Sequence, residues 1–236
     1  MKKHLAISFS ACFIVIVSFY IVGSIMQNIL AVKTFGTDMI SITTAGTLIS
    51  WMVFLCLDLI TEIWGRKKAI IVFWSSAILN LIFTGIAWIC IVIPGNNAFI
   101  GEAYKVVLGS GWRIVTASIL AFILGNYANT LVMYLMRIKS KDSSNSFSFI
   151  CRAILSTILG QAIDNGLFMI LAFAPIGIQG TIEQSWTTIG QIIGFTTAIE
   201  VVAELFVSPL TAFLVKKLKA MKEKENIQTD IELGKE

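Results

Sequence analysis

Two apolar stretches in the C-terminal half of the chain contain carboxylates and amides at helical spacing. Gln161, Asp164 and Asn165 stand at i, i+3 and i+4, and Glu200 and Glu204 are four residues apart. Each set therefore lies on one face of a helix. A carboxylate accepts charge-assisted hydrogen bonds, and a side-chain amide both donates and accepts. Together these groups are suited to binding a small polar molecule.

Other apolar stretches contain isolated polar residues that have two interpretations. An amide such as Asn129 either contacts a ligand or joins neighbouring helices by a hydrogen bond. Asp58 and Glu62 either contact a ligand or pair with Arg66 and the loop around it. Arg113 either contacts a ligand or extends its head group into the membrane interface. The candidate substrate-binding residues are Asp164, Gln161, Asn165, Glu200, Asn129, Arg113, Glu204, Asn28 and Asp58.

The elements that position these residues are predicted to be membrane-spanning helices. Of the 236 residues, 56% are apolar and 14% are charged, whereas an ordinary soluble domain has about 25% charged residues. The apolar residues form runs of about 18 or more, the length that crosses a bilayer as a helix. The sequence predicts an all-α integral membrane bundle of six transmembrane helices, near residues 5–32, 38–60, 69–93, 113–136, 150–174 and 187–215.

Two of the carboxylates are predicted to lie deep in the membrane. Asp164 is twelve residues beyond Arg152, which is about 18 Å at a helical rise of about 1.5 Å per residue. Glu200 lies about halfway along the sixth predicted span. A charged side chain at this depth is costly, so such residues usually face the bundle interior or a water-filled cavity. Asp164 and Glu200 are therefore the strongest candidates for a direct functional role.

The distribution of Lys and Arg predicts the orientation of the chain. With the N-terminus in the cytoplasm, 15 of the 18 basic residues lie on the inner side, and only Lys33, Lys105 and Arg113 lie outside. By the positive-inside rule both termini are cytoplasmic. The connection 94–112 is then external, and residues 216–236 form a charged cytoplasmic tail. The net charge of +4 follows from this topology, and no basic patch with exposed aromatic residues indicates nucleic-acid binding.

Sequence patterns for catalysis and metal binding are absent. The four cysteines have no C-x-x-C spacing, and the single histidine, His4, is next to the N-terminus. There is no G-x-S-x-G, H-E-x-x-H or Walker A motif. We therefore expect no metal, no cofactor and no enzymatic activity.

Five ordered segments resemble a known family. They are NILAVK (28–33), DLITEIWGRKKA (58–69), RIVTAS (113–118), STILGQAIDNGLF (156–168) and ELFVSP (204–209). Together they are similar to the queuosine precursor transporter family, also called the vitamin uptake transporter family, over most of the predicted membrane domain. In this resemblance Gly65 and the basic residues after it form a tight cytoplasmic turn.

The resemblance implies uptake of a 7-deazaguanine base across the inner membrane of a bacterium. The substrate would be 7-cyano-7-deazaguanine, 7-aminomethyl-7-deazaguanine or queuine. Asp164 or Glu200 would accept the two adjacent N–H donors of the guanine-like edge, and neighbouring amides would bind the carbonyl and ring nitrogens. Trp51, Trp64 or phenylalanines of the Phe-rich helices would stack on the flat ring.

A different type of transport protein is the alternative. The chain could be the substrate-binding subunit of an energy-coupling-factor vitamin transporter, which docks on a partner through small residues of its first helix. Gly23, Ser24 and Ala31 are the small residues available there. The expected partners are a nucleobase-like small molecule and the lipid bilayer. The sequence is compatible with a homodimer and does not specify a coupling ion.

Overall fold

The computed structural model describes residues 9–139, 146–178 and 181–233, apart from the side chains at 129–130, 133–134, 136–139, 146–154, 156 and 226–233. These ranges form seven helices and two short strands. The helices are α1 (Phe9–Leu30), α2 (Thr47–Trp64), α3 (Arg66–Val92), α4 (Ala98–Leu108), α5 (Gly111–Lys139), α6 (Ser146–Phe173) and α7 (Trp186–Leu233). The strands are β1 (Thr34–Gly36) and β2 (Ser41–Thr44).

The helices have the length and composition of membrane spans. Five helical segments of the described chain are long and apolar enough to cross a bilayer, and the described part of α6, Thr157–Phe173, is a shorter apolar helix. Helices satisfy their own backbone hydrogen bonds, as the hydrocarbon interior requires. The predicted all-α membrane bundle is confirmed, and the chain is a multi-pass membrane protein. The five segments are Phe9–Leu30, Thr47–Trp64, Arg66–Val92, Ala98–Ala128 and Trp186–Glu225.

The connection between α1 and α2 differs from the prediction. A helix was expected over 38–60, but α2 begins only at Thr47. The residues before it form an antiparallel hairpin of β1 and β2, in which Thr34 pairs with Thr44. The segment Ser-Ile-Thr-Thr contains three β-branched residues, which lose side-chain freedom in a helix and favour a strand. The sequence interpretation overlooked this preference and placed the start of the span too early.

The turn between α2 and α3 matches the expected tight turn. Gly65 is the single residue between the two helices and has φ 90° and ψ 159°. Few residues other than glycine adopt this combination without strain. The exposed basic residues Arg66, Lys67 and Lys68 follow directly at the start of α3.

The predicted external connection contains a helix that the sequence interpretation missed. α4 begins after Asn97, whose side chain accepts a hydrogen bond from the backbone N–H of Ile100 at 3.3 Å. Such a cap satisfies one of the free N–H groups at a helix start. α4 has no buried residue within the chain, so its apolar side chains are exposed on the surface.

Two glycines permit close approaches that shape the interior. A Cβ atom at Gly46 would lie 2.6 Å from the carbonyl oxygen of Gln27, which holds the end of the hairpin against α1. A Cβ atom at Gly125 would lie 2.7 Å from the Cβ of Asp164 and 3.1 Å from the carbonyl oxygen of Gly160. α5 and α6 therefore touch through their backbones beside Asp164.

α7 continues far beyond the thickness of a bilayer. Its 48 residues correspond to about 72 Å, against about 30 Å of hydrocarbon. Leu218, past the apolar part, is buried in a cluster with Leu55, Leu59 and Ile63 of α2. Pro209 lies inside α7, where it removes one backbone hydrogen bond. The helical start of the charged tail is therefore attached to the rest of the bundle.

Candidate substrate-binding site

Two cavities meet in the middle of the bundle. We call them inner and outer after the predicted topology. The inner cavity has a volume of about 490 Å³ and reaches Thr211, and the outer cavity has a volume of about 90 Å³ and reaches Thr44. The residues that line both cavities are Phe54, Phe122, Asp164 and Glu200. We call these four residues the partition.

The two carboxylates of the partition have different surroundings. Glu200 is 9% exposed, and its Oε2 accepts a hydrogen bond from Asn165 Nδ2 at 2.8 Å. The same nitrogen of Asn165 also donates to Thr197 Oγ1 at 3.2 Å. Glu200 is therefore held in place by a neighbouring helix, as polar residues in membrane bundles often are.

Asp164 has no such support. No hydrogen bond or ion pair joins its carboxylate to any residue in the part of the chain that the structure describes. Asp164 lines the same two cavities as Glu200, so negative charges on both groups would repel each other. A group that donates hydrogen bonds or carries positive charge would relieve this repulsion. Asp164 is thus a partly buried acceptor that faces two cavities.

The inner cavity contains further acids. Gln161 Nε2 donates to Glu204 Oε2 at 3.2 Å, while Gln161 Oε1 is buried without a partner among the described residues. Asp58 also lines this cavity and has no described partner. Glu62 lies at the mouth and pairs with Lys219 Nζ at 2.5 Å. The alternative pairing of Glu62 with Arg66 is therefore wrong, because α7 supplies the cation instead.

The outer cavity contains a polar cluster that the sequence interpretation found only in part. Asn28 was predicted, and its Nδ2 donates to Asn80 Oδ1 at 2.9 Å. Asn80 Nδ2 donates in turn to Ser24 Oγ at 3.1 Å and to the carbonyl oxygen of Ser76 at 3.0 Å. The available signal was the spacing of Ser76 and Asn80, four residues apart in an otherwise apolar helix.

The structure does not bring Arg113 to either cavity. Its guanidinium is 3% exposed, and Nε and Nη2 donate to the carbonyl oxygens of Leu171 and Ala174 at 2.8 and 2.7 Å. Nη1 donates to Thr181 Oγ1 at 3.3 Å and lies 3.9 Å from Glu183 Oε1. The predicted substrate contact is replaced by a structural role, because these groups fix the end of α6 and the connection that follows.

Three further predictions concern single side chains. The side chain of Asn129 lies outside the described residues. Trp51 lines the inner cavity. Trp64 does not, because its ring stacks on Phe9 at 4.9 Å between centroids and contacts Phe13 at 5.0 Å. Trp51 is therefore the better placed of the two tryptophans for contact with a ligand.

The charged residues that line the two cavities are all acidic among the described residues. Asp58, Glu62, Asp164, Glu200 and Glu204 all line a cavity, and no Lys, Arg or His lines either one among the described residues. Within those residues no group of three or more His, Cys, Asp or Glu side chains is arranged to hold a metal ion. The lining therefore favours ligands that donate hydrogen bonds and disfavours anions.

The family comparison agrees with this geometry. A family model described as "Putative vitamin uptake transporter" matches residues 44–214, which is more than half of the chain and includes the whole partition. The predicted resemblance to this family is confirmed, and so is the expectation of a transporter rather than an enzyme. Comparison with curated proteins gave no match, and neither did comparison with solved structures.

Proposed function

We propose that this chain, which belongs to the vitamin uptake transporter family, takes up a 7-deazaguanine precursor of queuosine through its two cavities. The observation that carries the proposal is the carboxylate of Asp164 in the partition, which has no partner among the residues that the structure describes. A group at this position meets a substrate from either cavity. The proposed location is the inner membrane of a bacterial cell.

The chemistry of Asp164 suits a guanine-like edge. Such an edge presents two adjacent N–H donors, one on the ring and one on the exocyclic amine, and a carboxylate accepts both with its two oxygens. Glu200 already accepts from Asn165, so Asp164 is the primary acceptor. Two donors placed between these acids also relieve their repulsion. Anionic substrates are disfavoured because their negative charge would add to this repulsion.

The partition also offers flat apolar surfaces. Phe122 stacks on Phe73 with 4.6 Å between ring centroids and 19° between planes, and Phe54 lines both cavities. Aromatic rings stack favourably on flat heterocycles. An apolar slot with a few convergent polar groups is the usual form of a small-molecule site. Asp164 would fix the orientation of the base, and these rings would contact its faces.

The alternative, an energy-coupling-factor subunit, is disfavoured by the position of the small residues of α1. A Cβ atom at Gly23 would lie 2.9 Å from Met52 Cε, so Gly23 is packed against α2. Ala31 is buried, and Ser24 accepts a hydrogen bond from Asn80 inside the outer cavity. None of the three is available on the surface for docking to a partner.

The proposed orientation has both termini in the cytoplasm. Its test is a cysteine-free variant that carries a single cysteine, at residue 96 before α4 or at residue 145 between α5 and α6. A membrane-impermeant maleimide added to whole cells should label the first variant only. If only residue 145 is labelled, the orientation is the opposite of the proposed one, and the names of the inner and outer cavities must be exchanged.

The test of the proposed function is uptake in cells that neither make nor import queuosine precursors. Expression of the chain should restore queuosine in tRNA at micromolar supply of a 7-deazaguanine. Asp164→Asn should fail to do so, while Asp38→Asn, an exposed carboxylate in the hairpin, should behave as wild type. If no 7-deazaguanine restores queuosine although the protein reaches the membrane, the proposed substrate is wrong. Repeating the uptake with a protonophore identifies or excludes coupling to protons.

A further inference from the structure

The outer cavity has a second polar part of its lining, a wall on α1 and α3 that is separate from the carboxylates on α6 and α7. Ser76 lines this wall and is 2% exposed, and its Oγ has no hydrogen-bond partner among the described residues. A serine within a helix commonly donates to the carbonyl four residues earlier. Its neighbour Ser75 does so, with 2.8 Å to the carbonyl oxygen of Ile71. Ser76 therefore keeps an unsatisfied hydroxyl at the cavity wall, which is unfavourable until a partner arrives.

Tyr20 and Asn28 extend the same wall along α1. Tyr20 is 3% exposed and lines the outer cavity, and its hydroxyl forms no hydrogen bond with a described residue. Asn80 uses its whole amide on Asn28, Ser24 and a backbone carbonyl. Asn80 therefore acts as a positioning residue that holds Asn28, while Oδ1 of Asn28 remains free to accept.

The two walls differ in charge. The wall on α6 and α7 carries Asp164 and Glu200, whereas the wall on α1 and α3 offers only hydroxyl and amide groups. In the pose we propose, a flat base turns its donor edge toward the carboxylates and its opposite edge toward Tyr20 and Ser76. A cationic group there would lose its hydration without gaining an opposite charge, which is costly.

We propose that Tyr20, Asn28 and Ser76 bind a neutral hydrogen-bonding substituent on the edge of the substrate opposite the carboxylates, and that they select substrates by this substituent. The inference rests on the proposed function. In a 7-deazaguanine this edge carries N9–H and the group on C7. A nitrile on C7 accepts from the two hydroxyls, and N9–H donates to Oδ1 of Asn28. The neutral nitrile is therefore preferred to a protonated aminomethyl group.

The test is binding of three bases to the purified full chain in lipid nanodiscs: 7-cyano-7-deazaguanine, 7-aminomethyl-7-deazaguanine and unsubstituted 7-deazaguanine. The wild type should bind the cyano base most tightly. Ser76→Ala and Tyr20→Phe each remove one hydroxyl, so each should weaken binding of the cyano base by about two- to tenfold, as expected for one neutral hydrogen bond. Binding of unsubstituted 7-deazaguanine should change less than about twofold in both variants.

Each variant has a matched control on its own helix. Ser75→Ala and Ser18→Ala remove exposed hydroxyls that donate to backbone carbonyls of their own helices, and neither should change binding of the cyano base. Since the hydroxyls of Ser76 and Tyr20 form no hydrogen bond with any residue that the structure describes, the melting temperatures of both test variants should stay near that of the wild type.

Three results would overturn the inference and leave the proposed function standing. One is unchanged binding of the cyano base in both variants. Another is an equal loss for the unsubstituted base, which would show that the hydroxyls shape the cavity without contacting the substituent. The third is a lower melting temperature with unchanged binding, which would show that the hydroxyls hold a buried water. If the wild type binds none of the three bases, the proposed function fails and the inference fails with it.

Discussion

Arg113 and Asp164 are both ionisable residues within apolar helices, and their surroundings differ completely. Arg113 has two carbonyl oxygens, a hydroxyl and a nearby carboxylate as partners. Asp164 has no partner among the described residues and faces two cavities. A buried charge with a full set of partners holds a structure together, whereas an unpartnered charge beside a cavity is available to a ligand. The partners of each group therefore indicate a structural role for Arg113 and support the proposed substrate contact of Asp164, although both residues were predicted to bind substrate.

The largest effect on stability is expected at Arg113. Arg113→Met removes three donors and leaves Glu183 without its cation. The free energy of unfolding should therefore fall by about 3–5 kcal/mol. The measurement is thermal unfolding in detergent, with Lys105→Met as control, because the pair of Lys105 with Glu102 is exposed and should contribute less than about 1 kcal/mol. If Arg113→Met has normal stability but no longer binds substrate, Arg113 is a substrate contact after all, and the contrast with Asp164 is wrong.

The opposite pattern is expected at Asp164. Asp164→Asn keeps the shape but replaces one acceptor oxygen by a donor, so binding of a 7-deazaguanine should weaken about ten- to hundredfold, as for loss of a hydrogen bond to a charged group. The melting temperature should not fall, because no described residue depends on the carboxylate. Calorimetry on the protein in nanodiscs measures the loss of affinity for the 7-deazaguanine. A folded variant with undiminished affinity would show that Asp164 is not a substrate contact.

A smaller effect on both properties is expected where α5 touches α6. Gly125→Ala places a Cβ 2.7 Å from that of Asp164, so the helices must separate or Asp164 must shift, at a cost of about 1–3 kcal/mol. Binding should weaken by about tenfold or less, since the carboxylate moves but remains. Gly166→Ala is the control, because a Cβ there meets nothing within 4 Å. Equal behaviour of the two variants would mean that the position of Asp164 is not set by this contact.

The smallest effect is expected at the cytoplasmic mouth. Lys219 and Glu62 form an ion pair with half-exposed side chains, so Lys219→Met should lower stability by less than about 1 kcal/mol. The comparison is Lys217→Met, an exposed lysine on the same helix, with thermal unfolding measured at low and high salt. An effect as large as that at Arg113 would contradict the view that burial and complete partnering determine the contribution of a charge.

The sequence was sufficient for features that depend on local pattern. Long apolar runs predicted the spanning helices, and helical spacing placed Asp164 with Asn165 and Glu200 with Glu204. The hairpin was missed because Thr43 and Thr44 are compatible with either a helix or a strand, and only their burial against other helices decides between them.

Features that depend on distant pairs could not be predicted. Glu62 and Lys219 are 157 positions apart in the chain, and nothing in either segment indicates the other. The same holds for Arg113 and the carbonyl oxygens it uses, because backbone acceptors have no sequence signature. Asn80 lies 52 positions from Asn28, so its role as a support became evident only from the packing of α1 against α3.

Pro209 gives α7 a position at which the helix can bend. The helix lacks a hydrogen bond at this residue, so it bends there more easily than elsewhere, and Ser208 and Thr211 on either side line the inner cavity. Residue 225, which accepts a hydrogen bond from the backbone of Phe9, is about 24 Å further along the helix. A bend of about 10° would therefore move that end by about 4 Å. A fluorophore pair at residues 9 and 225 would measure whether α7 bends at Pro209 when a molecule occupies the inner cavity.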